Sequence, residues 1–531
     1  MVFLSFLALP LLAFADTDNT KWSVMLITVD CMRPDHMSVY GYERDTTPNL
    51  KRFAQESLVF ENAFATSAWT SPGIVSMLTG YYPSVHAQNG RYSFYDEEMA
   101  SPLRIFEKQG YEVLGQAIKG PSHRNLGFKH GLRKKDGLER LIEEKSEDTK
   151  PFFAWIHTKE THLPYTPSDP NLARWAGTFE SSEGIDAVRN HYAIFRPHDV
   201  QVSFRHAGKV AFTKQDIPVI RALYDGEVAD VDQRLGRAIE RMRETGLLDR
   251  TIVIISADHG EELLEHGWVG HASTSYDGKL YDELTHIPLM IRLPNQSLTG
   301  RFDALVQSTD IMPTLLELLG FHKTKITPAM QGHSLRPLIE GRQSSLRDYV
   351  FAETTRKGWT TPKTQMQNRI TMVRSKDRKL IRHISGDQSW LEAYDLKSDP
   401  TENHNLYLHQ AERFQDLEKI LAAWSENNRD VAASLVLPAA HKQLRSMVEE
   451  LKSGSLVGAV DHWRNIAVMH NTWGLEAAPF YHLEPYQAKW QQLRLSAANQ
   501  LAQVLQCEAE TGMWRQTTSK NVIDSHLWVC K

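Results

Sequence analysis

Two runs of β-favouring residues that each end in an acid constrain this chain more than anything else in it. Lys21 to Asp30 reads KWSVMLITVD, and Arg250 to Ala257 reads RTIVIISA before Asp258-His259-Gly260-Glu261-Glu262. An apolar run without alternation is the pattern of a strand covered on both faces, as in a parallel sheet. The acid then stands at the carboxyl edge, where such sheets carry their sites. Ser57–Ala65, Gly110–Lys119, Pro151–His157 and Leu289–Leu293 add strand candidates separated by helical or polar sequence, so the fold class is α/β with a mostly parallel central sheet flanked by helices. At 531 residues and 41% hydrophobic content, the chain can bury one large domain of this kind and something smaller beside it.

Helices are expected at Pro48–Gln55, at Asp310–Gly320 and from about Ile217 to Thr245, where Val228, Val231, Leu235, Ile239 and Met242 form one face and Gly246 stops the run. Residues 170–215 have weak periodicity and read as a surface excursion. Tyr349–Glu353, Thr371–Arg374, Lys379–His383 and Leu391–Leu396 read as a small antiparallel sheet. Helical stripes follow: Phe414, Leu417, Leu421 and Trp424, then Leu444, Met447 and Leu451, then Leu493, Leu501 and Leu505. The expected division is a catalytic domain over 22–345, a C-terminal subdomain over 346–425 and a helical extension over 426–531.

The net charge of -5 gives no basic surface for nucleic acid, which points to a small substrate. Val2 to Phe14 is an apolar run closing on Ala13-Phe14-Ala15, the pattern of a secretory signal over residues 1–15, although no Lys or Arg precedes it. It is too short to span a bilayer, and no later run approaches that length. Export to the periplasm or the extracellular space is the expectation. Three cysteines are too few for a disulfide framework; Cys507 and Cys530 share a tail that export would oxidise, and Cys31 stands apart, directly after an acid.

Ala68 to Gly80 (AWTSPGIVSMLTG) reads as a turn opening a helix, with Ser71 as cap, Pro72 at the first helical position and Ile74, Met77 and Leu78 on one face. Thr70 then sits at the positive helix end, where a hydroxyl is a candidate nucleophile if a cation stands beside it. The same Thr-Ser pair also suits plain capping.

Taken together, Asp30, Thr70, His162 and Asp258-His259-Gly260-Glu261 resemble, in this order, the sulfatase family of the alkaline phosphatase superfamily. The likeness covers about Trp22 to Leu421. It is carried by Val29-Asp30-Cys31-Met32-Arg33-Pro34-Asp35, Leu78-Thr79-Gly80-Tyr81-Tyr82-Pro83, His162-Leu163-Pro164-Tyr165, Leu223-Tyr224-Asp225-Gly226-Glu227 and Tyr394-Asp395-Leu396-Lys397-Ser398-Asp399-Pro400. The resemblance implies Asp30, Asp258 and His259 as ligands of a divalent metal, Thr70 at the nucleophile position, and His162 and His271 against the transferring group and leaving oxygen. Lys119 or Arg124 would be further anion contacts, although a solvated face suits both.

The chain departs from the family where sulfatases make formylglycine from Cys or Ser in a Cys/Ser-x-Pro-x-Arg motif. Here the positions read Thr70-Ser71-Pro72-Gly73-Ile74. Threonine cannot give that aldehyde, because its β-carbon carries a methyl group, so no formylglycine is expected. A Thr ester has to be resolved by water or another acceptor, which favours phosphoester or phosphodiester hydrolysis. A formylglycine-free sulfate ester hydrolase, a phospho-group transferase and a catalytically weak binding homologue are the alternatives. Many sulfatases carry a second Asp where this chain has Cys31, so the implied cofactor is one Zn²⁺, Mn²⁺ or Mg²⁺ held by Asp30, Thr70, Asp258 and His259 with Cys31 as a soft donor, and Ca²⁺ fits less well. A second metal is not implied, since two-metal relatives place Asp four residues before the position of His162 and here that residue is Thr158. The expected partner is a small anionic ester, a sulfated or phosphorylated glycan, or a lipid headgroup.

Overall fold

The fold, taken from a computed structural model, is described for residues 21–88, 102–116, 130–132, 137–191, 210–321 apart from 273 and 275–277, 330–358, 361 and 368–455, and for 458, 459, 462, 496 and 499. The signal-like run, Lys119, Arg124, Cys507, Cys530 and the Leu493–Leu505 stripe lie outside the described residues.

An eight-stranded sheet forms the centre, in the order β10-β2-β9-β6-β1-β5-β3-β4. Its strands are β1 (Ser23–Val29), β2 (Leu58–Phe64), β3 (Glu112–Gln116), β4 (His130–Leu132), β5 (Phe152–Thr158), β6 (Thr251–Ala257), β9 (His286–Arg292) and β10 (Gly300–Gln307). A two-stranded ribbon of β7 (Glu262–Leu263) and β8 (Val269–Gly270) stands apart. All pairings of the large sheet are parallel except those of β9 with β2 and β6. Every residue of β1, β5 and β6 is buried, as uninterrupted apolar runs require. Helices cover both faces, the longest in the catalytic region being Asp216–Glu244, after which Gly246 turns the chain at φ 71°. The 170–215 excursion contains two ordered helices, Asp169–Trp175 and Glu183–Asn190, the second capped by the Ser182 hydroxyl.

β11 (Val350–Thr355), β12 (Arg369–Arg374), β13 (Arg378–Ser385) and β14 (Gln388–Asp395) form the expected antiparallel sheet. Phe414, Leu417, Leu421 and Trp424 pack on it together with Val373, Leu380 and Ala393, and Trp424 stacks on Phe351 at 5.0 Å. The stripes at 417–424 and 444–451 lie on one helix, Gln415–Ser453, which carries Pro438 and runs unbroken through residue 426. Among the described residues no helix is long and apolar enough to cross a membrane.

One buried acid on the long helix gives a stability test. Glu227 accepts the Thr166 N–H, yet burial, with Asp230 adding to it, pushes its carboxyl up to about 8. Its folded value lies above its unfolded one, so the stability it contributes is fully present below the unfolded pKa and is lost as pH rises towards 8. Glu227→Gln keeps the acceptor and removes the charge. It is expected to match the wild type near pH 4.5 and to exceed it by about 4 kcal/mol at pH 8, read as a widening gap in thermal midpoints.

Candidate active site

Strand register builds the site. Val29 pairs with Thr158 on one side and Ala257 on the other, so β1, β5 and β6 end level, and Asp30 and Asp258 leave the sheet side by side. The Asp30 N–H still donates to the Thr158 carbonyl (2.8 Å), holding the first residue past β1 in place. The chain then turns at Cys31, which has φ 65°, a left-handed conformation that costs a non-glycine residue on the order of 1 kcal/mol. Tyr224 fixes this turn: its hydroxyl donates to the Cys31 carbonyl (2.6 Å) and accepts the Arg33 N–H (3.0 Å). The Cys31 N–H donates to Asp258 Oδ1 (3.3 Å), tying the two strand ends together.

The helix over Thr70–Thr79 begins earlier than the sequence suggests. Trp69 is its cap residue, no side chain caps it, and Pro72 is the third helical residue, so Ser71 does not serve as cap. A proline costs no hydrogen bond anywhere in the first turn, which is why its position misled the boundary. Thr70 is thereby drawn into the helix start and aimed at the strand ends. Its Oγ1 lies 3.4 Å from Asp30 Oδ1 and 3.4 Å from His259 Nε2. Gly73 permits this approach, because a Cβ there would stand 2.6 Å from the Asp258 carbonyl oxygen. Gly73→Ala is expected to displace the helix start from Asp258 and lower kcat on the order of 10²-fold while the circular dichroism spectrum is unchanged; unaltered kcat would show the packing to be incidental.

The structure brings all seven expected residues, Asp30, Cys31, Thr70, His162, Asp258, His259 and His271, into one cluster. All but Thr70 are buried. The rings of His259 and His271 lie 4.5 Å apart, and those of His271 and His162 5.0 Å apart. Two further groups join that sequence reasoning did not assign. His157, on β5, places Nε2 3.3 Å from Asp30 Oδ2. Glu261 Oε1 accepts from His271 Nδ1 (2.8 Å).

The hydrogen-bond pattern assigns the tautomers that make this a cation cradle. His259 Nδ1 donates to the Gly260 carbonyl (2.7 Å), which leaves the Nε2 lone pair facing Asp30 Oδ1 (3.5 Å) and Asp258 Oδ2 (3.4 Å). Thr28 Oγ1 donates to the Ile156 carbonyl (3.4 Å) and accepts from Trp155 Nε1 (3.0 Å) and His157 Nδ1 (2.9 Å), so His157 likewise turns its Nε2 lone pair on Asp30. Asp258 Oδ2 is buried with no hydrogen-bond partner. Lone pairs of His157, His259 and both aspartates thus converge, and the donors present, the Thr70 hydroxyl with the Cys31 thiol and N–H, leave Asp258 Oδ2 unmatched, which a bound cation satisfies. Charges respond accordingly: burial and the neighbouring Asp30 push Asp258 up to about 8, while Asp30, against its own burial, is held well below the usual carboxylate range by His162, His157 and His259. Burial also pushes His162 down to about 4, and burial with the nearby acids keeps the Cys31 thiol protonated. Asp30, His157 and Asp258 form one potential metal-donor triad, and Cys31, His259 and His271 a second.

The family model described as Sulfatase matches residues 23–321, and that described as N-sulphoglucosamine sulphohydrolase, C-terminal, matches residues 265–428. Arylsulfatase K of Gallus gallus is 30% identical over 451 residues, covering 76% of this chain and 82% of that protein. Among solved structures, the phosphonate monoester hydrolase of Agrobacterium radiobacter superposes with a TM-score of 0.61 at 21% identity, covering 78% of this chain and 96% of the other. A protein solved with its substrate D-glucosamine-2-N,6-O-disulfate gives 0.60 at 20% identity, over 77% and 98%.

Proposed function

The chain belongs to the sulfatase family, and on that premise we propose that it is a metal-dependent ester hydrolase in which Thr70 is the nucleophile and phosphoesters are preferred over sulfate esters. One observation carries the reading: Thr70 Oγ1, the partly exposed member of an otherwise buried cluster, stands equidistant from a metal-type carboxylate and a metal-type imidazole. Asp30, His157, Asp258 and His259 would hold the cation, with Cys31 as a soft donor. Such a cation, when bound, lowers the pKa of a neighbouring hydroxyl and offsets charge on a non-bridging substrate oxygen.

The chain's own groups account for the remaining steps. Thr70 passes its proton towards Asp30 Oδ1 and attacks in line; the new bond runs from Oγ1 to phosphorus and the bond to the leaving oxygen breaks. The Thr70 proton is relayed by way of Asp30 to His162 Nε2, an acceptor because Nδ1 donates to the Leu163 carbonyl (2.6 Å), and from Nε2 it reaches the leaving oxygen; His271 is the other imidazole within reach of the cluster. Water then attacks phosphorus, the Oγ1–phosphorus bond breaks, and the proton the water gives up returns to Thr70 Oγ1 as phosphate leaves. Thr70 is the one partly exposed member of the cluster, so substrate enters past it. Its class would be a small anionic ester or a phosphorylated or sulfated glycan or lipid headgroup.

A sulfate ester is the second reading, favoured by the 30% identical arylsulfatase. Purified protein tested on aryl sulfate, phosphate monoester, phosphodiester and phosphonate, with chelation and metal add-back, separates the two. Turnover of sulfate esters alone would end the phosphoester preference, and metal-independent turnover would end the proposed chemistry.

A further inference from the structure

We propose that the small antiparallel sheet carries a sugar-binding platform, the exposed ring of Trp390, and that the ester is borne by a glycan whose second ring stacks there. This rests on the ester-hydrolase reading and narrows its substrate class, setting aside the lipid headgroup and the isolated small ester.

The two faces of the sheet differ in what covers them. Val373, Leu380 and Ala393 pack with the Gln415–Ser453 helix, whereas Ala352, Ile370, Met372, Ile381 and Tyr394 pack with Ala68, Leu280 and Leu284 of the catalytic region. Thr354, Ile370, His383 and Trp390 are paired in one row across all four strands, so their side chains share the second face. At the end of this row Trp390 keeps 39% of its surface exposed, where Ile370 keeps 0%. Trp390 therefore stands where the cover from the catalytic region stops, on a wall that begins at Ala68, a near neighbour of Thr70 in the chain. Strand spacing puts it about 10 Å beyond Ile370, so it meets the next unit of a substrate rather than the one that carries the ester.

The indole is held in place. His383 stacks on it, with 4.8 Å between centroids and 4° between planes, and His383 Nε2 lies 3.1 Å from Glu392 Oε1. Glu392 Oε2 accepts from the hydroxyls of Tyr281 (3.1 Å) and Tyr394 (2.9 Å). The Arg356 guanidinium stands over the same ring at 5.6 Å and donates to Ser385 Oγ (3.3 Å), so it too approaches from the β13 side. β14 is the last strand of the sheet, which leaves the far face of the indole open. Arg356 also ties the platform to the reaction centre. Its carbonyl accepts the Gly278 N–H (2.6 Å), and a Cβ on Gly278 would stand 3.3 Å from Ala272, the neighbour of His271.

A fixed indole face beside a cation suits an anionic sugar. The C–H groups on one face of a sugar ring carry partial positive charge and fit the negative π face, while an acidic substituent at the ring edge meets the guanidinium. A phospholipid headgroup offers the charge without the ring.

The test is equilibrium binding by calorimetry in the full chain carrying Thr70→Ala, which holds substrate without turning it over, with turnover measured beside it in the chain that keeps Thr70. The probes are glucosamine 6-phosphate and 6-sulfate, and chitobiose carrying the same esters on either ring. The disaccharides are expected to bind about tenfold more tightly than the monosaccharides, a preference that Trp390→Ala abolishes and Trp390→Phe largely keeps. Leu408→Ala, at the other exposed large hydrophobic side chain among the described residues, should leave that preference as it is. A preference that is missing, or that survives Trp390→Ala, overturns the platform, and turnover of the monosaccharides then leaves the hydrolase reading standing. A Trp390-dependent preference without turnover of any ester overturns the hydrolase reading and keeps the platform as a binding site. Trp390-dependent binding of anionic phospholipid vesicles in place of the disaccharides overturns the glycan. Should Trp390→Ala fail to fold, Trp390→Thr, a strand-favouring residue without a ring, takes its place.

Discussion

Thr70→Ala is expected to lower kcat on phosphoesters on the order of 10⁴-fold or more, with binding of a product anion unchanged, because it removes the atom that forms the covalent bond and little else. Thr70 is a helix-start residue whose side chain caps nothing, so its loss leaves the fold intact. Thr70→Ser keeps the hydroxyl 3.4 Å from Asp30 and His259 and is expected to retain activity within about 10²-fold. The decisive measurement is single-turnover kinetics with mass analysis of the quenched peptide containing residue 70: the wild type and Thr70→Ser should carry the transferred group there, and Thr70→Ala should not. Equal rates for Thr70→Ala and the wild type would remove Thr70 from the chemistry.

Asp258→Asn separates metal binding from folding. Asp258 Oδ1 accepts the His259 N–H (3.0 Å) and the Cys31 N–H, bonds an amide oxygen can keep. Oδ2 is the buried atom without a partner, and there the substitution puts an NH₂. Activity is expected to fall on the order of 10³-fold or more, with metal affinity falling in parallel. The stability change has two signs. Without metal, Asp258→Asn relieves repulsion between two buried carboxylates and should melt at or above the wild type. With metal, the wild type gains the binding free energy, about 4 kcal/mol at a thousandfold excess over Kd, and should melt above the variant. A variant less stable than the wild type in both states would mean that Asp258 is structural.

The parts of this architecture that were legible in the sequence are those whose signals are local. The runs before Asp30 and Asp258 are buried strands because nothing polar interrupts them, and their acids stand at the sheet edge because a parallel strand can deliver them nowhere else. The face Val228 to Met242 gave the long helix for a similar reason. What was hidden depends on pairing. His157 lies within a strand candidate, and its closeness to Asp30 follows from the register of β5 on β1, Thr28 opposite His157, which no single segment encodes. β10 escaped because its first half, Gly300 to Asp303, alternates between partly buried and exposed positions at a sheet edge, and the antiparallel setting of β9 leaves no mark on a short apolar run. Cys31 was noticed for its place after an acid, but its left-handed turn, which aims the sulfur, is a property of the folded chain.

The level ending of β1, β5 and β6 bears on how the centre exchanges metal. Ligands at loop tips can release an ion through local fraying, whereas these hang from the three most enclosed strands of the sheet, segments that open only with the whole domain. Among the described residues of the cluster only Thr70 is partly exposed, so it marks the mouth by which an ion passes. The rate at which the centre empties is therefore set by what fits through that mouth, so a compact chelator should strip it faster than a bulky one of equal affinity.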